Sequence, residues 1–163
     1  MSSDFNKDAL LRSAKRINVS YFKEQQEDAI NAIWRWWQSQ SISFTLSGYA
    51  GTGKTFIMRH LVRYLIVEKV CVTAPTHKAL RVLENSSGKK GMTIQSLCGL
   101  RPDVDIEDYN IENPSFKVIG EQKMRGYRLV IIDECSMINP GLFNLLIKTA
   151  IQCRCKLLFL GEM

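Results

Sequence analysis

The stretch Gly48-Tyr49-Ala50-Gly51-Thr52-Gly53-Lys54-Thr55 constrains this chain more than any other. It fills the pattern G-x-x-x-x-G-K-S/T at every fixed position and follows an apolar run from Ile42 to Leu46 that serves as a strand. Glycines at 48, 51 and 53 let the backbone turn tightly. The N–H groups of the loop, Ala50 and Thr52 included, then point inward, where they cradle phosphate oxygens at the start of the next helix. Phe56, Ile57, Leu61, Val62 and Leu65 follow at roughly helical spacing, so the prediction is strand, phosphate loop, helix. In that arrangement Lys54 neutralises the β and γ phosphates of a nucleotide, and the Thr55 hydroxyl completes the shell of a Mg²⁺ ion.

A second signal lies downstream. Leu129-Val130-Ile131-Ile132 is a continuous apolar run ending in Asp133-Glu134, the pattern of a central parallel strand with its chemistry at the carboxyl end. Taken alone, the same residues fit an ordinary strand followed by an acidic helix cap. Beside a phosphate loop they read as the second nucleotide motif. Asp133 then holds the Mg²⁺ shell, and Glu134 orients or deprotonates the water that attacks the γ-phosphate.

Between and around these motifs, helix and strand signals alternate. Helices are expected over Asp4 to Ala14, Phe22 to Trp37, Ala79 to Leu83, Thr93 to Leu100 and Phe143 to Ala150. Further strands are expected at Lys69 to Thr73 and Lys156 to Leu160. This predicts an α/β fold of the P-loop type, a mainly parallel sheet between two layers of helices with ATP at the strand carboxyl ends. At 163 residues and 45% hydrophobic composition the chain is expected to form one such domain. Residues 101–126 are polar and broken by Pro102 and Pro114, an excursion from the core that reads as a small inserted subdomain.

Composition excludes several classes. No apolar run reaches the roughly 18 to 20 residues of a membrane span, and the polar N-terminus lacks a signal-peptide core, so a cytoplasmic protein is expected. The five cysteines form no C-x-x-C pair, and their odd number argues against a disulfide framework. Cys153-x-Cys155 lacks the partners of a zinc site, because His60 and His77 are far off in sequence. A net charge of +6 fits a polyanionic partner only if the basic groups converge on one face.

Ala74-Pro75-Thr76-His77-Lys78-Ala79 gathers a hydroxyl, an imidazole and an ammonium directly after the second strand, groups that suit the phosphates and sugars of a nucleic-acid strand. The same residues also fit a helix start with an early proline. Thr93-Ile94-Gln95-Ser96-Leu97 adds polar groups beside the Lys89-Lys90 turn. Of the tryptophans, Trp34 and Trp37 share a helical face with Ile30 and Ile33 and are expected in the core, which leaves Trp36 as the exposed candidate for base stacking.

Together these motifs resemble the first RecA-like domain of superfamily 1 DNA helicases, in particular the RecD/Dda-like 5′-to-3′ branch, from about Tyr21 to Met163. The resemblance implies that Gln26 reads the adenine edge and that Gly48 to Thr55 and Val130 to Met137 are the two ATP motifs, Ser136 coupling nucleotide state to the domain. It further implies that Pro75, Thr76, His77, Lys78, Thr93 and Gln95 contact single-stranded DNA, and that the excursion carries a strand-separating pin; Phe116 is the candidate wedge, and a Phe that covers the core is the alternative.

Gln95 stands where relatives usually have histidine, and Glu162 where they usually have aspartate after Gly161. The second RecA-like domain, with its arginine finger, is absent from this chain, which implies ATP binding with weak hydrolysis and no unwinding by this domain alone. Two other classes fit the loop and carboxylates without the resemblance: a P-loop ATPase acting on protein or small molecules, and a binding module merely switched by nucleotide.

Overall fold

Four of the apolar runs become strands, and all four are parallel. The computed structural model describes residues 24–64, 69–100 and 120–162. The strands are β1 (Ser43–Ser47), β2 (Val70–Thr73), β3 (Leu129–Ile132) and β4 (Lys156–Gly161), in the sheet order β1-β4-β3-β2. The register pairs Ser43 with Leu157, Val70 with Leu129 and Leu129 with Lys156. Both central strands lie between helices, so every residue of β3 and all of β4 after Lys156 are buried. β1 is an edge strand and only partly covered.

Side chains alternate across the sheet and sort into two cores. Val70, Val72, Leu129, Ile131, Leu158 and Leu160 face α1 (Glu24–Gln38) and α2 (Lys54–Tyr64), with Leu83 of α3 (His77–Ser87) beside them. Cys71, Val130, Ile132, Leu157 and Phe159 face α4 (Ile94–Cys98) and α5 (Pro140–Cys153). This is the three-layer α/β/α arrangement that the alternating pattern predicts.

Capping residues set several helix limits. Asn139 caps α5, its side chain accepting from the N–H of Leu142, and Pro140 opens the first turn, so α5 begins three residues before the apolar pattern does. α4 is shorter than expected because Gly99, at φ 70°, turns the chain out of the helix and returns its N–H to the carbonyl of Gln95. Gly99 also closes the neck of the excursion, its carbonyl accepting from the N–H of Gly120 at 3.0 Å. The expected helix over Asp4 to Ala14, Phe116 and most of the excursion lie outside the described residues.

The tryptophan expectation is corrected. Trp36 is 5% exposed, whereas Trp34 is only partly covered. Both lie at the edges of the α1 apolar stripe, and the sheet takes the Trp36 edge: its ring centroid is 5.7 Å from that of Phe44 on β1. Lys156 seals this corner. Its ammonium lies 5.0 Å from the Trp36 ring centroid and donates to the carbonyls of Trp36, Ser39 and Ser41 at 2.8 to 3.1 Å, capping the end of α1.

All five thiols are free. Among the described residues no helix is long and apolar enough to cross a membrane, and no three His, Cys, Asp or Glu side chains are grouped to hold a metal ion.

Candidate functional site

β1 delivers the glycine-rich loop to the carboxyl edge of the sheet, and α2 begins at Lys54. Gly53 has φ +90°, in the left-handed region, and any Cβ there would collide with the amide of Gln26. Gln26 therefore reaches the loop across a sequence gap of 26 residues, its Nε2 donating to the carbonyl of Thr52 at 3.2 Å. Thr52 in turn donates its hydroxyl to the carbonyl of Tyr49 at 2.9 Å. The Lys54 ammonium folds back over the loop and donates to the carbonyls of Gly48 at 2.5 Å and Tyr49 at 3.0 Å. The loop is thus tied at both ends, and a strong cation sits at its centre.

Opposite the loop, β3 ends in the carboxylate pair. Asp133 and Glu134 line the same open cleft of about 690 Å³ as Ala50, Gly51, Gly53, Lys54 and Thr55. Glu134 adopts φ 52°, ψ 42°, a left-handed conformation that costs a non-glycine residue about 1–3 kcal/mol and is typical of functional sites. Its N–H is donated to Asp133 Oδ1 at 2.9 Å, which fixes one carboxylate oxygen. The wall is completed by Phe56, Ser136, Met137, Gly161 and Glu162. Met137, the last residue of the second ATP motif that the resemblance implies, thus reaches the wall.

Cys135 packs behind the cleft, against Gly161. Gly161, at the end of β4, leaves no room for a side chain, because a Cβ there would collide with Cys135 Sγ. Burial pushes the Cys135 thiol above its ordinary value, the Asp133 charge beside it adds to this, and Lys54 acts weakly against both.

The donors in this cleft fit a nucleoside triphosphate with Mg²⁺. Thr55 offers a hydroxyl and Asp133 a carboxylate, hard oxygen ligands of the kind Mg²⁺ takes in ones and twos, with waters and phosphate oxygens completing the shell. When bound, the ion neutralises charge on the phosphates.

The second group of predicted residues gathers at the carboxyl end of β2. Ala74 and Pro75 leave the strand, and Thr76 caps α3, its Oγ1 accepting from the N–H of Ala79 at 3.2 Å. His77 and Lys78, in the first turn, are exposed. Gly91 bridges Val72 in parallel and Met92 donates to its carbonyl at 3.2 Å, so α4 also starts beside the end of β2. Thr93 caps α4, its Oγ1 accepting from the N–H of Ser96 at 3.3 Å. Gln95 follows in the first turn. Both threonines therefore spend an acceptor site on a helix end and keep the hydroxyl proton for another partner. Of the predicted strand-contacting residues, the fold brings all to this edge except Phe116, which is outside the described residues.

Residues 21–163 match the model of a family described as an AAA domain. The chain belongs to this AAA-domain family. The AAA domain is 32% identical over 142 residues to the ATP-dependent DNA helicase dda of Enterobacteria phage T4, a match covering 85% of this chain and 31% of that protein. It is 27% identical over 100 residues to the ATP-dependent DNA helicase Pif1 of Psychrobacter sp. (strain PRwf-1), covering 61% of this chain and 15% of that protein. The chain thus spans less than a third of the length of these curated relatives.

Among solved structures, the Pif1 helicase from Candida albicans matches with a TM-score of 0.59 and 25% identity, over 88% of this chain and 33% of that one. The resemblance to superfamily 1 helicases drawn from the motifs therefore holds, and it concerns the first domain of those longer chains. The AAA domain is of the helicase ATPase type, with the RecA-like α/β fold.

Proposed function

We propose that this AAA domain is the ATP-binding motor domain of an ATP-dependent DNA helicase, taking ATP with Mg²⁺ in the cleft and single-stranded DNA along the ends of β2, α3 and α4. The supporting observation is a juxtaposition. The cleft holds Lys54, Thr55, Asp133 and Glu134 together, and the next strand end carries Thr76, His77 and Lys78, joined to it where the Asp133 N–H donates to the Thr73 carbonyl at 3.0 Å. Lys54 grips the β and γ phosphates, Thr55 and Asp133 hold the ion, Glu134 orients the attacking water, and Gln26 faces the base.

The domain works with a second RecA-like domain that supplies an arginine finger, a contribution worth about 10³ to 10⁵ in turnover. By itself it binds ATP and hydrolyses it weakly, and it does not unwind a duplex, because translocation needs two domains closing and opening around the nucleotide. Fluorescence anisotropy of a labelled single-stranded oligonucleotide, with and without a non-hydrolysable ATP analogue and Mg²⁺, tests the reading. Salt-sensitive binding that changes with nucleotide is the expected result. Nucleotide binding with no strand affinity at low salt overturns it in favour of a P-loop ATPase with another substrate.

A further inference from the structure

The chain re-enters the described core at Gly120 and makes a single 3₁₀ turn, Lys123–Gly126, before β3. Met124, fully buried in the second core, anchors this turn, and Lys123 and Arg125 on either side of it are exposed. Lys123 lies against α4: its ammonium donates to Ser96 Oγ at 3.2 Å, across a sequence gap of 27 residues. Ser96 is the residue whose N–H is capped by Thr93 and which follows Gln95. The contact therefore sets a cation next to two of the residues assigned to the strand.

The chemistry of this contact matters. A hydroxyl neutralises no charge, and among the described residues no carboxylate pairs with Lys123. One of the three ammonium donors is used, which leaves two directed elsewhere. A lysine held by a hydroxyl is positioned without a counter-charge from that partner and has already given up part of its side-chain freedom. Such a group suits a phosphate oxygen running past α4.

We infer that Lys123 is a further phosphate contact of the strand track, placed by Ser96 beside Thr93 and Gln95; the inference rests on the strand-binding reading above. The competing role is a structural bracket, since the Lys123–Ser96 and Gly120–Gly99 hydrogen bonds both tie the returning chain to α4.

Salt-dependent anisotropy with the whole chain separates the two. For single strands the logarithm of affinity falls with the logarithm of salt by about 0.7 per phosphate neutralised. Lys123→Ala is therefore expected to reduce the slope by about 0.7 and the affinity at 0.1 M salt by about fivefold. ATP affinity stays unchanged, Lys123→Arg restores the slope, and Ser96→Ala leaves it intact. A wild-type slope and affinity in Lys123→Ala overturns this inference alone, as does a loss of affinity that Ser96→Ala reproduces without any change of slope. Absence of wild-type binding at low salt overturns the strand reading and this inference with it.

Discussion

The backbone N–H of Asp133 donates to the carbonyl oxygen of Thr73 at 3.0 Å, so the strand end with the carboxylate pair and the strand end that releases Ala74 to Lys78 are one hydrogen bond apart. On the proposed reading, a nucleotide with Mg²⁺ held by Asp133 would act through this bond on the root of the loop from Ala74 to Lys78. Titrating strand against nucleotide, and nucleotide against strand, is expected to give one common coupling factor, typically about 5 to 150. Affinities that ignore each other in both titrations would show that the two sites are independent.

Lys54 donates to the carbonyls of Gly48 and Tyr49, which holds its ammonium over the loop. Charge-assisted hydrogen bonds contribute about 1.5–3 kcal/mol, so Lys54→Ala should weaken ATP·Mg²⁺ binding by about ten- to a hundredfold in calorimetry. Glu134→Gln should keep that affinity and lose the residual hydrolysis. Unchanged affinity in Lys54→Ala would remove the phosphate-loop assignment.

Gly161 and Cys135 form a testable pair. Gly161→Ala forces a methyl into Cys135 Sγ and is expected to shift the Asp133-Glu134 turn, destabilising the fold by about 1–3 kcal/mol and weakening nucleotide binding. Adding Cys135→Ala removes the obstructing sulfur and should recover much of the loss, a positive interaction in a double-mutant cycle. Additive losses in thermal melts would show that the two sites do not interfere.

Thr76 caps α3 and also stands on the proposed strand track. Thr76→Ala should cost about 1 kcal/mol of stability as well as strand affinity, whereas Thr76→Ser should keep both. A Ser variant with the strand affinity of the Ala variant would mean that the methyl, and not the hydroxyl, makes the contact.

Cys71, Cys98 and Cys155 are buried, and burial pushes their thiols up to about 11, 12 and 12, from 9.0. A folded state that holds these protons more tightly than the unfolded chain is favoured below pH 9, and the advantage is lost as pH rises from about 9 toward 12. Denaturant midpoints should therefore fall steadily over that interval. At pH 8, Cys135 and Cys153, which are partly exposed, should react with a thiol reagent well before the three buried ones. Equal rates at all five would contradict the buried core.

Much of the nucleotide cleft was legible in the chain because its determinants are local. The spacing of Gly48, Gly53, Lys54 and Thr55 encodes the loop, and an apolar run ending in Asp133-Glu134 encodes the strand end that faces it. Periodicity likewise gave four strands and their helices. It misassigned Trp36, since Trp34 and Trp36 lie at opposite edges of one stripe and a helical wheel gives no direction to the sheet.

The sequence by itself determined the strand-loop-helix unit, the carboxylate pair and the parallel α/β architecture, because each is specified by neighbours in the chain and by the two repeat lengths of secondary structure. Only the tertiary structure decided that Gln26 rests on the Thr52 carbonyl, that Cys135 fills the space above Gly161, that Lys156 closes the end of α1, and that Lys123 reaches Ser96. Those contacts join residues far apart in sequence. They exist because parallel packing brings distant turns to one edge of the sheet, and no local pattern encodes that distance.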